Sequence, residues 1–368
     1  MALDRQVAEF YREKIEKKAF FVPGVGLEAL RAGADAAFND KEFVTDIAFS
    51  EDRLVSFGTV ATGAPRYLVK PEFAAFARFV QAVTEAEVPS LRVRIFRPTL
   101  TDEVLPVVLY FHGGGFVLHN IASHDALTRQ ISKEWNAVVI SAEYRLCPEN
   151  KYPAYLQDAW ALLCWVSEQA AKLNIDPTKI ILSGDSAGAT ICAAVSKLAA
   201  MVESGDCPMI YAQVLFYGEY GAVMPEQSES MKEFGGGDYV LPREMIDYFK
   251  ELTVPKDLSG DDPFFYPGRR LSGKSAGLQG RCGTDESTCD FDLRALSGMP
   301  RTIVVSAECD PLRDDGEAFA AALRAAGADV TDIRAPGAMH GFLLYWHKFD
   351  FARDIIKEIG QLLNAADC

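Results

Sequence analysis

Apolar residues fall into two rhythms along this chain. From about residue 91 onward, short runs rich in Val, Ile and Leu alternate with longer stretches whose apolar positions recur at helical spacing. The runs at 91–97, 107–111, 137–142, 179–183, 210–217 and 302–307 predict strands, and their near-continuous hydrophobicity suits strands buried on both faces of a parallel sheet. Amphipathic stretches near 124–135, 154–172, 187–203 and 314–326 predict the helices between them. The last of these runs into Gly327, a residue suited to a C-terminal cap. A further helix over 349–363 completes the pattern. Alternation of this kind specifies a doubly wound α/β sheet.

Two regions break the rhythm. Residues 1–90 precede the first confident strand and carry aromatic-rich segments such as Phe20-Phe21 and 73–79. Residues 218–292 separate two core strands by far more chain than a crossover needs. The spacing predicts a helix near 245–252, and the Gly-, Ser- and charge-rich composition predicts a flexible surface loop over 268–292. The chain therefore divides into an N-terminal cap segment and lead-in (1–90), an α/β core (91–217 and 293–368) and a cap insertion (218–292).

Composition adds exclusions. With 368 residues, 49% of them hydrophobic, the chain can bury a large core without disulfides or metals. A net charge of −15, from 37 basic and 52 acidic residues, argues against nucleic-acid binding and against an anionic membrane surface. The charged stretch 1–18 lacks a signal peptide's apolar core, and no apolar run is long enough for stable membrane insertion, so the expected location is cytoplasmic. Eight scattered cysteines include no C-x-x-C pair, which disfavours zinc. Cys164 and Cys192 read as buried small hydrophobes, while Cys282 and Cys289 bracket a polar loop and leave a disulfide open.

The chemistry concentrates after the strands. Gly184-Asp185-Ser186-Ala187-Gly188 follows the strand at 179–183 and opens the next helix, the context of a nucleophile elbow. A plain strand–helix turn with a serine cap is the simpler alternative. His112-Gly113-Gly114-Gly115-Phe116 follows the strand at 107–111, and three consecutive glycines there carry an entropic cost that a close backbone approach to a ligand would explain. The N–H groups of Gly113 and Gly114, with that of Ala187, are expected to form an oxyanion hole. Glu308 and Asp310 follow the strand at 302–307, and Asp310 is the preferred acid. Of the two later histidines, His340 lies in the loop 336–342 with Gly337 and Gly341 around it, whereas His347 sits in an aromatic stretch. The order Ser186, Asp310, His340 is that of α/β-hydrolases.

These segments, with Glu143-Tyr144-Arg145-Leu146-Cys147-Pro148-Glu149, Asp310-Pro311-Leu312-Arg313-Asp314 and His340-Gly341-Phe342, resemble the hormone-sensitive-lipase-like esterases, the α/β-hydrolases bearing an H-G-G-G signature. The resemblance spans roughly 90–265 and 293–360. Glu143 and Cys147 stand where the family usually has Asp and Ala. It implies an α/β-hydrolase fold, a mostly parallel sheet flanked by helices, with a cap built from the N-terminal segment and the insertion. It also implies a Ser186–Asp310–His340 triad, oxyanion donors Gly113, Gly114 and Ala187, and hydrolysis of a hydrophobic small-molecule ester without cofactor or metal. Acyl transfer, lactonase or dehydratase/cyclase chemistry on the same triad is the alternative. Gibberellin receptors resemble these esterases but lack the histidine, which this chain has. A homodimer is left open.

Overall fold

Strands β1 (Phe49–Val55), β2 (Leu91–Arg97), β3 (Leu105–Phe111), β4 (Val138–Ala142), β5 (Ile175–Asp185), β6 (Ile210–Phe216), β7 (Arg301–Cys309) and β8 (Val330–Met339) form one sheet. Their spatial order is β1-β2-β4-β3-β5-β6-β7-β8. Only the β1–β2 and β2–β4 pairs are antiparallel. The computed structural model describes residues 3–17, 24–38, 49–57, 67–99, 102–203, 207–256, 258, 262–269 and 296–365. Most of the expected loop at 268–292, with Cys282 and Cys289, lies outside them, as do Phe20 and Phe21.

Period-two geometry sorts each inner strand between two cores. Along β3, Val107, Leu109 and Phe111 join Leu156, Leu163 and Val195 on one face of the sheet. Val108 and Tyr110 join Ile131, Trp135 and Ile356 on the other. Helices Ala154–Glu168 and Ala187–Met201 cover the first face, and Asp125–Trp135 and Asp350–Ala365 the second. Neither face of β3 is left to water, which is why its sequence is a continuous apolar run.

The six expected strands are present, some of them longer than the apolar run that announced them. The two outer strands of the sheet were not anticipated. β8 corrects the expectation that His340 sits in a loop from 336: the strand runs to Met339 and delivers His340 directly. Pro336 is tolerated because an outer strand has one neighbour to bond. The pairing slips from Ala307↔Ala335 to Cys309↔Met339, so 336–338 bulge opposite Glu308. Glu308 Oε2 accepts the Gly337 N–H at 2.8 Å and fills that gap in the ladder.

The segments outside the core dock by a few specific contacts. Asp4 caps helix Arg5–Phe10 through Oδ1, which accepts from Gln6 N at 2.8 Å. Its own N–H donates to Gly337 O at 3.0 Å. Phe10 and Tyr11 pack their rings on Tyr345 at 4.7 and 5.8 Å. Helix Leu27–Phe38 is held by Arg31, which donates to Val117 O, Cys147 O and the Glu149 carboxylate. The insertion contributes helices Glu229–Phe234 and Arg243–Thr253. Buried Asp315 tethers its start, accepting the N–H groups of Tyr220, Gly221 and Val223. Buried Lys197 tethers its return, donating to Pro263 O and Pro267 O.

Candidate active site

Strands β3, β5, β7 and β8 run parallel and end at Phe111, Asp185, Cys309 and Met339. The next residues are His112, Ser186, Asp310 and His340. Four segments spread over more than two hundred residues of sequence are thereby brought to one sheet edge, the carboxyl edge where open α/β folds bind ligands.

At Ser186 the backbone turns from strand to helix with φ 52° and ψ −120°. A non-glycine residue there is strained, and the strain is held by the Ser186 N–H bonded to Phe216 O at 2.8 Å. A Cβ on Gly184 would lie 2.5 Å from Phe111 O, and one on Gly188 would overlap the same carbonyl. The flanking glycines are therefore required by the close approach of helix Ala187–Met201 to β3.

Ser186, half-buried, has its Oγ 2.9 Å from His340 Nε2. His340 Nδ1 lies 2.7 Å from Asp310 Oδ2, and Asp310 is fully buried. The other carboxylate oxygen accepts the Leu312 N–H at 2.9 Å, so neither oxygen is left without a donor. The Tyr217 ring packs edge-on against the imidazole at 4.9 Å and fixes its plane. Glu308, the competing carboxylate, is committed to Gly337. His347 lies outside this group.

The glycine loop differs from expectation in one donor. Gly113 does not line the cavity, and its N–H donates to Asp185 Oδ1 at 3.0 Å, so it is not free for a ligand. Gly114, Gly115 and Ala187 line the cavity instead. Among the described residues their N–H groups have no protein acceptor. Glycine spacing alone does not say which peptide faces outward.

Behind the loop lies a polar cluster that sequence reasoning missed. Asp185 Oδ1 also accepts the Tyr110 hydroxyl at 2.8 Å and stands 3.2 Å from His124 Nε2. His112 stacks on Tyr144 at 4.3 Å, and Tyr144 donates to His112 O at 2.7 Å. Burial, aided by the neighbouring His124, pushes His112 down to about 3, so its ring is neutral at pH 7. The G-D-S-A-G and H-G-G-G strings contain two members of this cluster, but only the fold joins them.

A cavity of about 370 Å³ opens over Ser186 and His340. Tyr11, Leu30 and Ala34 line it from the N-terminal helices, and Leu241, Met245, Ile246 and Phe249 from the insertion. Its wall is mainly apolar, with one ion pair, Lys250 Nζ to Glu219 Oε1 at 2.6 Å. Among the described residues there is no cluster of metal-ligating side chains.

Comparison with known proteins agrees with this geometry. The model of a family described as "alpha/beta hydrolase fold" matches residues 108–344. Carboxylesterase NlhH of Mycobacterium tuberculosis is 36% identical over 251 residues, covering 68% of this chain and 70% of its own. An arylesterase of Saccharolobus solfataricus is 30% identical over 260 residues, covering 69% of this chain and 73% of its own. Among solved structures, a hyperthermophilic esterase from Pyrobaculum calidifontis superimposes with a TM-score of 0.77 at 25% identity, covering 100% of this chain and 99% of its own.

Proposed function

The chain belongs to the hormone-sensitive-lipase-like family of α/β-hydrolases, and from that premise we propose that it is a carboxylesterase working through an acyl-enzyme on Ser186. One observation carries the assignment: the unbroken line from Ser186 Oγ through His340 to Asp310, at 2.9 and 2.7 Å.

Ser186 Oγ attacks the ester carbonyl carbon as His340 Nε2 takes its proton. The carbonyl electron pair moves onto oxygen, which accepts hydrogen bonds from the N–H groups of Gly114, Gly115 and Ala187. Each such donor is worth roughly 3–4 kcal/mol to the transition state. Asp310 holds the imidazole with its Nδ1 protonated and stabilises the imidazolium. Collapse of the intermediate breaks the bond to the alcohol oxygen, which leaves with the proton from His340. Water, deprotonated by the same nitrogen, then attacks the acyl carbon, and the bond to Ser186 Oγ breaks as His340 returns the proton to Oγ, releasing the acid.

The mainly apolar cavity, roofed by residues 11–34 and 240–253, supports a hydrophobic acyl or alcohol group and the reading of both segments as a cap. A chain of charge −15 without a long apolar helix among its described residues supports a cytoplasmic enzyme with no nucleic-acid role. The test is a series of p-nitrophenyl esters of graded chain length with product analysis, alongside fluorophosphonate labelling of wild type and Ser186→Ala. Release of free acid and labelling confined to the wild type are expected. Acyl transfer to an added alcohol in place of hydrolysis, or labelling that survives S186A, would overturn the reading.

A further inference from the structure

Asp185, the residue before Ser186, is a carboxylate with a side chain only 3% exposed. Acyl transfer has no use for an anion there. A negative charge beside a forming oxyanion opposes it, and burying one costs several kcal/mol unless it is well partnered. Its partners explain its presence. Oδ1 receives the Tyr110 hydroxyl at 2.8 Å and the Gly113 N–H at 3.0 Å, and faces the buried His124 at 3.2 Å. Burial alone would push this carboxyl up; His124 and the Tyr110 hydrogen bond outweigh it and hold it at about 2.

The contact with Gly113 is close on both sides. A Cβ there would lie 2.5 Å from Asp185 Oδ2 and 2.9 Å from Asp185 O, so the carboxylate occupies the space a side chain would need. Asp185 is covalently joined to Ser186, and Gly113 to Gly114. One oxygen atom therefore ties the strand end that presents the nucleophile to the loop that presents the oxyanion donors. Their separation decides whether attack and charge stabilisation reach the same carbonyl group.

We propose that Asp185 is a positioning residue, fixing the glycine loop at the height over Ser186 where the Gly114 and Gly115 N–H groups meet the oxyanion. The inference rests on the esterase reading and deepens it. Its effect belongs to the transition state, since a ground-state carbonyl oxygen sits less deeply among those donors.

The experiment uses the full chain, an ester the wild type hydrolyses, and active sites counted by fluorophosphonate labelling. Asp185→Ala should lower kcat roughly 30- to 100-fold with KM within about twofold. Affinity for a trifluoromethyl ketone, which forms an oxyanion on Ser186, should fall by the same factor as kcat/KM. Binding of a non-reactive alcohol analogue should not change. Asp185→Asn, which keeps an acceptor for Gly113 N–H, should restore kcat to within about threefold of wild type. An unchanged kcat in D185A, a kcat loss without loss of ketone affinity, or an Asn variant as poor as Ala would overturn the proposal. Should D185A fail to fold, Gly113→Ala pushes the loop off the carboxylate without removing a charge. It must lose kcat and ketone affinity together, and retention of both would equally refute the inference. A wild type that labels and hydrolyses while these variants match it would leave the esterase reading intact and remove this one alone.

Discussion

The two walls of the cavity are made differently. On the core side, Ser186, His340 and Gly114 stand within a few residues of buried strand ends, and the Ser186 N–H is bonded to Phe216 O at the sheet edge. On the cap side, Leu30, Ala34 and Met245 are half-buried residues of helices that lay apolar side chains on the core and are pinned to it by a few polar tethers. Arg31, Asp315 and Lys197 supply three of these tethers. A wall built from strand ends holds atoms to the tolerance that bond-making demands. A wall made of half-buried side chains on helices outside the sheet can change those side chains at small cost to the fold. The first wall therefore governs kcat, and the second governs which ester is accepted.

The largest test removes the atom of the core wall that we propose reacts. Ser186→Ala should lower kcat by roughly 10⁴- to 10⁶-fold with an unchanged melting temperature, and His340→Ala should match it because the residues act as a unit. Retention of more than a few per cent of activity in either would break the division.

Acid should reach the core wall through His112. Its folded pKa of about 3 lies below the 6.5 of the unfolded chain, so between these values the unfolded state binds the extra proton. The stability His112 contributes is fully present above pH 6.5 and is lost as pH falls toward 3. The slope is about 1.4 kcal/mol per pH unit. Urea midpoints across that range measure it, and His112→Gln should flatten the curve by one proton's worth. An identical slope in the variant would refute the assignment.

On the cap side, Met245→Trp should narrow the cavity. We expect kcat/KM for an octanoyl ester to fall roughly tenfold while the acetyl ester stays within about twofold. Equal losses on both esters would mean that this wall reaches the chemistry. The smallest effect is expected from Arg31→Ala, which frees helix Leu27–Phe38 at one end. It should raise KM about threefold and weaken amide-exchange protection of that helix roughly tenfold, with kcat unchanged. Unaltered protection would show that apolar packing holds the helix without the arginine.

The same contrast explains what was legible in the sequence. β3, β4, β5, β6 and β7 are interior strands, and continuous burial writes them as apolar runs. The unanticipated pair, β1 and β8, are the two outermost strands. In β1, Asp52 and Arg53 replace apolar residues, and Asp52 pairs with Arg92 and Arg94 across the β1–β2 ladder. In β8, Asp332, Arg334 and the Pro336–Gly337 bulge hide the strand from any periodicity. Ser186, Asp310 and His340, which the fold brings within hydrogen-bonding distance, are each marked in the sequence by a local motif and by chain order. Gly115 and Asp185 could not be assigned their places, because the direction of a peptide N–H and a contact between residues 113 and 185 belong to tertiary structure.

The docking of helix Arg5–Phe10 has a consequence in time. Asp4 bonds to Gly337, and Gln6 exchanges two hydrogen bonds with Asp350, 344 residues away. As the chain is made, this helix waits through the 344 residues that separate it from Asp350 with that partner not yet made. Closing so long a loop is slow compared with forming the strands and helices between its ends. β7 and β8, which deliver Asp310 and His340, are likewise made after the other strands of this sheet. The nascent chain thus holds an elbow serine that has no base to activate it, and gains both its base and its N-terminal covering at nearly the same late moment.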